Sequence, residues 1–272
     1  MKKLFCICFF MYGMMMYTGG GELLAAGTKH TPPHKQKKAK MTRGDVKVIE
    51  ASENIRYLSQ KIAKEYLFLY RYPQNEAVKK SLYGTLAKLG ENLKVISAVT
   101  NDEDTNNILD FLAYSKEQIL DILTRKPSHE LLVEMLDYSD TLQEGAESIG
   151  KTYAYTFSKE EKMLVVSKNI SFLLERIIKY YMALYNGYNT RNNHEKLQES
   201  VRELTAYLAK LNRYAYPEKI RSVRREFDRV WQRDKEVISQ AESFLVPNLL
   251  FDSVVYLEEK IDVLARYHSQ NL

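Results

Sequence analysis

An internal repeat constrains this 272-residue chain more than any other feature. Ile55, Leu58, Ile62, Tyr66 and Leu69 return 115 positions later as Ile170, Leu173, Ile177, Tyr181 and Leu184. Leu82, Leu86, Leu89, Leu93 and Ile96 return as Leu197, Val201, Leu204, Leu208 and Leu211. Ile108, Leu112 and Ile122 answer to Val223, Phe227 and Val237, and Met135, Leu142, Ala146 and Ile149 to Leu250, Leu257, Ile261 and Leu264. Steps of three and four residues place such side chains on one face of a helix. One offset held through four such stripes without a gap is the mark of a duplication.

The punctuation between stripes agrees. Pro73 separates the first two helices, Thr100 with Glu103 reads as a capping box opening the third, and Pro127 with Ser128 opens the fourth. In the second half Ser158 with Glu161 is a capping box, Asn186–Gly187–Tyr188–Asn189 breaks the chain, and Pro217 and Pro247 start further helices. Each helix then has roughly 20–25 residues, about 30–38 Å at 1.5 Å per residue. Short loops make neighbours antiparallel, so the expected fold is all-α: two tandem up-down-up-down four-helix bundles, 45–157 and 158–272. No proline falls between Pro127 and Pro217, which predicts that the fourth helix runs almost straight into the fifth and stacks the bundles end to end as a rod. Twenty tyrosines against 11 glycines and 6 prolines suit helices in contact through rings with hydrogen-bonding tips.

The N-terminus is of another kind. Lys2 and Lys3, the apolar run 4–17 and then Ala25, Ala26 and Gly27 have the layout of a secretory signal peptide over 1–27. A membrane anchor needs about twenty apolar residues, and Gly19 to Glu22 interrupt this run; an uncleaved anchor is the lesser alternative. The expected location is the periplasm. Cys6 and Cys8 both lie inside the run, so the mature chain is expected to hold no disulfide and no Cys-ligated metal or haem. Residues 28–44 carry Lys29, Lys35, Lys37, Lys38, Lys40 and Arg43 and no acid, the composition of a basic flexible linker. Set against the whole-chain charge of +5, that linker and the leader leave 45–272 at −2, so the basicity belongs to the tether. A nucleic-acid role needs a basic face on the folded body and is not expected.

One stretch has more character than packing demands. Along Ile49 to Tyr72 the apolar face bears Val48, Ala51, Ile55, Leu58, Ile62, Tyr66 and Leu69, and beside it stand Ser52, Arg56, Ser59 and Ala63. A cation among small side chains on a core helix is a candidate contact for an anion or polar ligand, since guanidinium presents paired donors to an oxyanion.

The same stretch, Ile49 to Lys64, resembles the opening helix of the PilJ-type sensor domain of type IV pilus chemoreceptors, related to the NarX-type nitrate/nitrite sensors. Ile49, Arg56, Leu58, Ser59 and Gln60 match its pattern, and Lys61 keeps the charge of the pattern's last arginine. Glu50, Ser52, Glu53 and Tyr57 depart from it. The second copy puts Ser171, Leu174 and Glu175 at the positions of Arg56, Ser59 and Gln60, and so keeps the packing but not the polar signature. The resemblance implies a ligand held by the motif arginine between the first helices of two subunits. It nominates Arg56, with Ser52, Ser59, Gln60 and Lys61 beside it, and a homodimer through the first helix.

Other constellations are weaker. Of the five histidines only His268 falls at a core-phase position, as a candidate haem ligand against the stronger expectation of plain packing. No di-iron spacing, Walker loop, dinucleotide fingerprint or serine-hydrolase motif occurs. Tyr66, Tyr70, Tyr180, Tyr181 and Tyr185 cluster late in equivalent helices, where core packing accounts for them and an aromatic pocket is an alternative. The expectation is a non-enzymatic, cofactor-free sensory accessory protein that takes a small anion or peptide and reports to a membrane-bound receptor or kinase. The alternative is a structural adaptor that docks an envelope partner without a small ligand.

Overall fold

Side-chain caps set most of the helix starts. Asn75, Asp102, Ser128, Ser158 and Thr190 each accept a backbone N–H three residues on, satisfying a donor that the first turn leaves open. Ser158 and Glu161 complete the reciprocal capping box. The third helix is capped by Asp102 and not by the expected Thr100, whose hydroxyl instead accepts the Asp102 N–H at 3.2 Å. Gly187, with φ +87°, makes the left-handed step that ends the fifth helix, a conformation open to glycine at no steric cost.

The chain is seen in a computed structural model that describes residues 43–153, 155–241 and 245–272. The signal-peptide reading of 1–27 and nearly all of the linker reading of 28–44 fall outside the described residues. Within them the fold is all-α. The helices are α1 (Arg43–Arg71), α2 (Glu76–Ser97), α3 (Glu103–Thr124), α4 (His129–Thr152), α5 (Lys159–Tyr185), α6 (Arg191–Asn212), α7 (Glu218–Ser239) and α8 (Pro247–Ser269). In the first half α1 packs on α2 and α4, and α3 on α2 and α4; in the second α5 packs on α6 and α8, and α7 on α8.

α4 does not run into α5. The backbone of Tyr153 is extended, and the Ser158 box starts a new helix that turns back. The halves consequently lie side by side, not end to end, with α1 packed along α5. Contacts climb both helices together: Arg56 over Phe172, Lys64 to Glu175, the Leu67 carbonyl to Asn186, Tyr72 to Tyr185. α1 and α5 are therefore parallel.

The cause lies in two mostly apolar runs, with Lys64, Glu65 and Lys179 buried among them, that leave no solvent face. Ile62 to Phe68 and Ile177 to Leu184 are buried at every position, as a helix enclosed by others requires. One core is built of first-half residues alone, while the other draws Leu67, Phe68, Val78, Leu132 and Leu136 into the second half. The Phe68 and Phe251 rings, 4.2 Å between centroids, belong to this shared core.

Candidate functional site

The α1/α5 pairing places the two repeats face to face and opens a cleft on each side. One cleft, of about 470 Å³, is lined by α1, α4, α5 and α6. The other, of about 320 Å³, lies among α1, α5 and α8. Positions one repeat apart line both. Asn169, Phe172, Arg56, Gln143 and Glu147 in the first cleft correspond to Asn54, Tyr57, Ser171, Glu258 and Asp262 in the second. This is the relation that a local two-fold between α1 and α5 produces.

Arg56 lies in the larger cleft. Its guanidinium donates to Glu53 at 2.7 Å, meets Glu147 at 3.2 Å and lies 4.5 Å from the Phe172 ring centroid. Arg176 of α5 approaches the same ring at 6.0 Å and pairs with Glu199 at 3.3 Å and Glu203 at 3.9 Å. The Nε of each arginine is buried without a hydrogen-bond partner. Two charged donors in one cleft thus lack an acceptor, and leaving such a group unmet costs about 1–3 kcal/mol or more. Lys210 adds a third cation, and Glu147, Glu199 and Glu203 match the three in number.

The other nominated residues do not join Arg56 in lining this cleft. Ser52 is buried against Gly150 of α4 with its hydroxyl unpartnered. The Ser59 hydroxyl donates to the Arg56 carbonyl, and the Ser59 carbonyl accepts from Ser139. Gln60 donates to Ser59 and to Gln143 at 3.1 Å. These three hold α1 to α4, where small or paired polar groups permit close approach. Lys61 turns to the opposite side, 3.5 Å from Glu175 and 3.8 Å from Glu258. Sequence reasoning misses Arg176; its only trace is the repeat, which sets it at the position of Lys61.

The second cleft has a different charge pattern. Serine replaces the arginine and Glu258 the glutamine. Burial, and then the neighbouring Glu175, push the Glu258 carboxyl up to about 8. Glu175 is fully enclosed; burial would raise it, but Lys64 and Lys61 outweigh burial and hold it below the usual carboxylate range. The Tyr57 hydroxyl is pushed far up, by burial first and by Glu175 next.

His268 has both ring nitrogens engaged, Nδ1 with Glu160 at 2.6 Å and Nε2 with the Tyr216 hydroxyl at 2.7 Å. Neither nitrogen can ligate iron while those bonds stand. Among the described residues no group of three or more His, Cys, Asp or Glu side chains is disposed to hold a metal ion, and no helix is long and apolar enough to cross a membrane.

No protein-family model matches the chain. No curated protein matches it. No solved structure matches it either.

Proposed function

We propose that the chain is an exported, non-enzymatic binding protein that takes a small zwitterion, an amino acid or short peptide, in the Arg56–Arg176 cleft and reports to a membrane-bound partner. The observation that carries this reading is the pair of buried, unpartnered Nε–H groups beside Phe172. Each offers a charge-assisted bond of about 1.5–3 kcal/mol to a carboxylate. A bare oxyanion such as nitrate would meet three lining carboxylates as well as three cations, and Glu53 already sits on Arg56. A zwitterion answers both signs, its carboxylate at the arginines and its ammonium at Glu147, Glu199 or Glu203. The PilJ-type resemblance of 49–64 supports a sensory role. The signal-peptide layout of 1–27 supports export. In this reading α5 of the same chain takes the place that a second subunit's first helix would occupy.

The alternative is a structural adaptor, favoured by the carboxylates already paired with Arg56 and Arg176. Thermal-shift titrations with dialanine, acetate and nitrate separate the two. A rise in melting temperature with dialanine that Arg56→Ala and Arg176→Ala each remove supports the binding protein. No shift with any of the three, or a shift that survives both substitutions, leaves the adaptor.

A further inference from the structure

A third cavity, about 160 Å³, opens at the Tyr66 end of the first half. It is independent of the Arg56 cleft and of the reading built on it. Leu69, Leu82, Ile122 and Leu123 form its apolar wall, and Lys79 and Arg125 stand among its lining without any carboxylate. Tyr66 belongs to the wall; the residue is 4% exposed, and its hydroxyl is buried with no hydrogen-bond partner. Burial, and then Tyr70 and Glu134, push that hydroxyl's pKa up to about 12, with Arg125 acting in the opposite sense.

The duplication supplies an internal control. Tyr181 occupies the position of Tyr66 one repeat on, and its hydroxyl accepts the Val246 N–H at 2.8 Å. The equivalent N–H in the first half is that of Leu131, and the cap Ser128 takes it at 3.3 Å. α4 begins at His129, three residues earlier in the repeat than Pro247 of α8. The early start consumes the donor and leaves the Tyr66 hydroxyl free to donate to something else. Arg125 and Lys79 are about half exposed, and their ion pairs, 3.5 Å to Asp121, 3.8 Å to Glu134 and 3.7 Å to Glu76, are the weak surface kind.

We propose that this cavity is a binding site for a small aromatic carboxylate, its ring among Leu69, Leu82 and Leu123 and its carboxylate on the Tyr66 hydroxyl with Arg125 at the mouth. A dry apolar cavity of about 150 Å³ suffices for a benzene ring. The lining holds two cations and no carboxylate, and the acids that pair with them, Glu76, Asp121 and Glu134, do so from outside it at 3.5 Å or more, which favours an anion.

The experiment uses the full chain and 4-fluorobenzoate, followed by its fluorine NMR signal, with 4-fluorobenzyl alcohol as the neutral comparison. Saturable broadening is expected with the wild type. Tyr66→Phe should weaken the acid about tenfold, the ratio a charge-assisted hydrogen bond supports, without lowering the melting temperature, because the hydroxyl has no partner to lose. Arg125→Ala should weaken the acid and leave the alcohol unchanged, and Leu123→Trp, which fills the cavity, should abolish the broadening of both probes. Absence of saturable binding by the wild type up to the probe's solubility overturns the site, as does an affinity for the acid that Tyr66→Phe leaves unchanged. Should Leu123→Trp fail to fold, the Tyr66→Phe comparison decides alone.

Discussion

Lys64 and Glu175 form an ion pair of 2.7 Å across the two halves, with side chains 1% and 0% exposed. One repeat on from Lys64, Lys179 reaches back across the same junction to Asp140 at 2.6 Å. Each half thus lends a buried lysine to a carboxylate of the other. A buried ion pair adds little net stability against a well-packed apolar pair, but losing one member strands the other charge. The pairing therefore favours this alignment of α1 on α5 over those that bury either charge unpaired.

Glu175→Ala should accordingly destabilise the chain by about 3–5 kcal/mol, whereas Lys64→Met with Glu175→Leu should cost much less. Urea denaturation checks this. The fluorescence of Trp231, 1% exposed in the second half's core, is the readout.

The acid limb of stability should carry the mark of Asp140. Burial would raise this carboxyl, but Lys179 and Lys196 prevail and hold it at about 2, against about 3.9 in an unfolded chain. A depressed carboxylate stabilises fully above the unfolded value, and its contribution is lost as pH falls from about 4 through 2. Asp140→Asn should lower stability at neutral pH and flatten that loss.

Glu258 should act with the opposite sign. Its folded value of about 8 lies above the unfolded value of about 4.3. Between them the folded chain holds one proton more than the unfolded chain, so stability should fall as pH rises, by up to about 1.4 kcal/mol per unit. Glu258→Gln should remove the slope and stabilise the protein at the upper end. Denaturation midpoints taken across that range test it.

Gly145 lies at a tight contact of α4 with α3, since a Cβ built there would stand 2.6 Å from Cδ2 of the buried Leu112. Gly145→Ala gains about 1 kcal/mol of helix propensity against about 1–3 kcal/mol for overpacking. The balance should be destabilising by roughly 1 kcal/mol, measured by chemical denaturation.

The sequence by itself determined the helices of the described residues, the Ser128 and Ser158 caps, the helix starts at Pro217 and Pro247, and the equivalence of Tyr66 with Tyr181 or Arg56 with Ser171. Those follow from local rules: an apolar step of three or four, a serine or proline where a helix begins. It did not determine how the halves meet. Ile62 to Phe68 and Ile177 to Leu184 carry apolar side chains on every side of the helix, interrupted only by Lys64, Glu65 and Lys179, so their apolar pattern names no single partner face. The uninterrupted stretch from Pro127 to Pro217 points to a rod, whereas the Ser158 box and the extended Tyr153 turn the chain back. Only that return brings Arg176 beside Arg56 over one phenyl ring, because nothing in its own spacing separates it from an ordinary surface cation. Likewise the unpartnered Tyr66 hydroxyl emerges from a cap three residues early, a difference of register that acquires chemical meaning only once α4 is packed against α1.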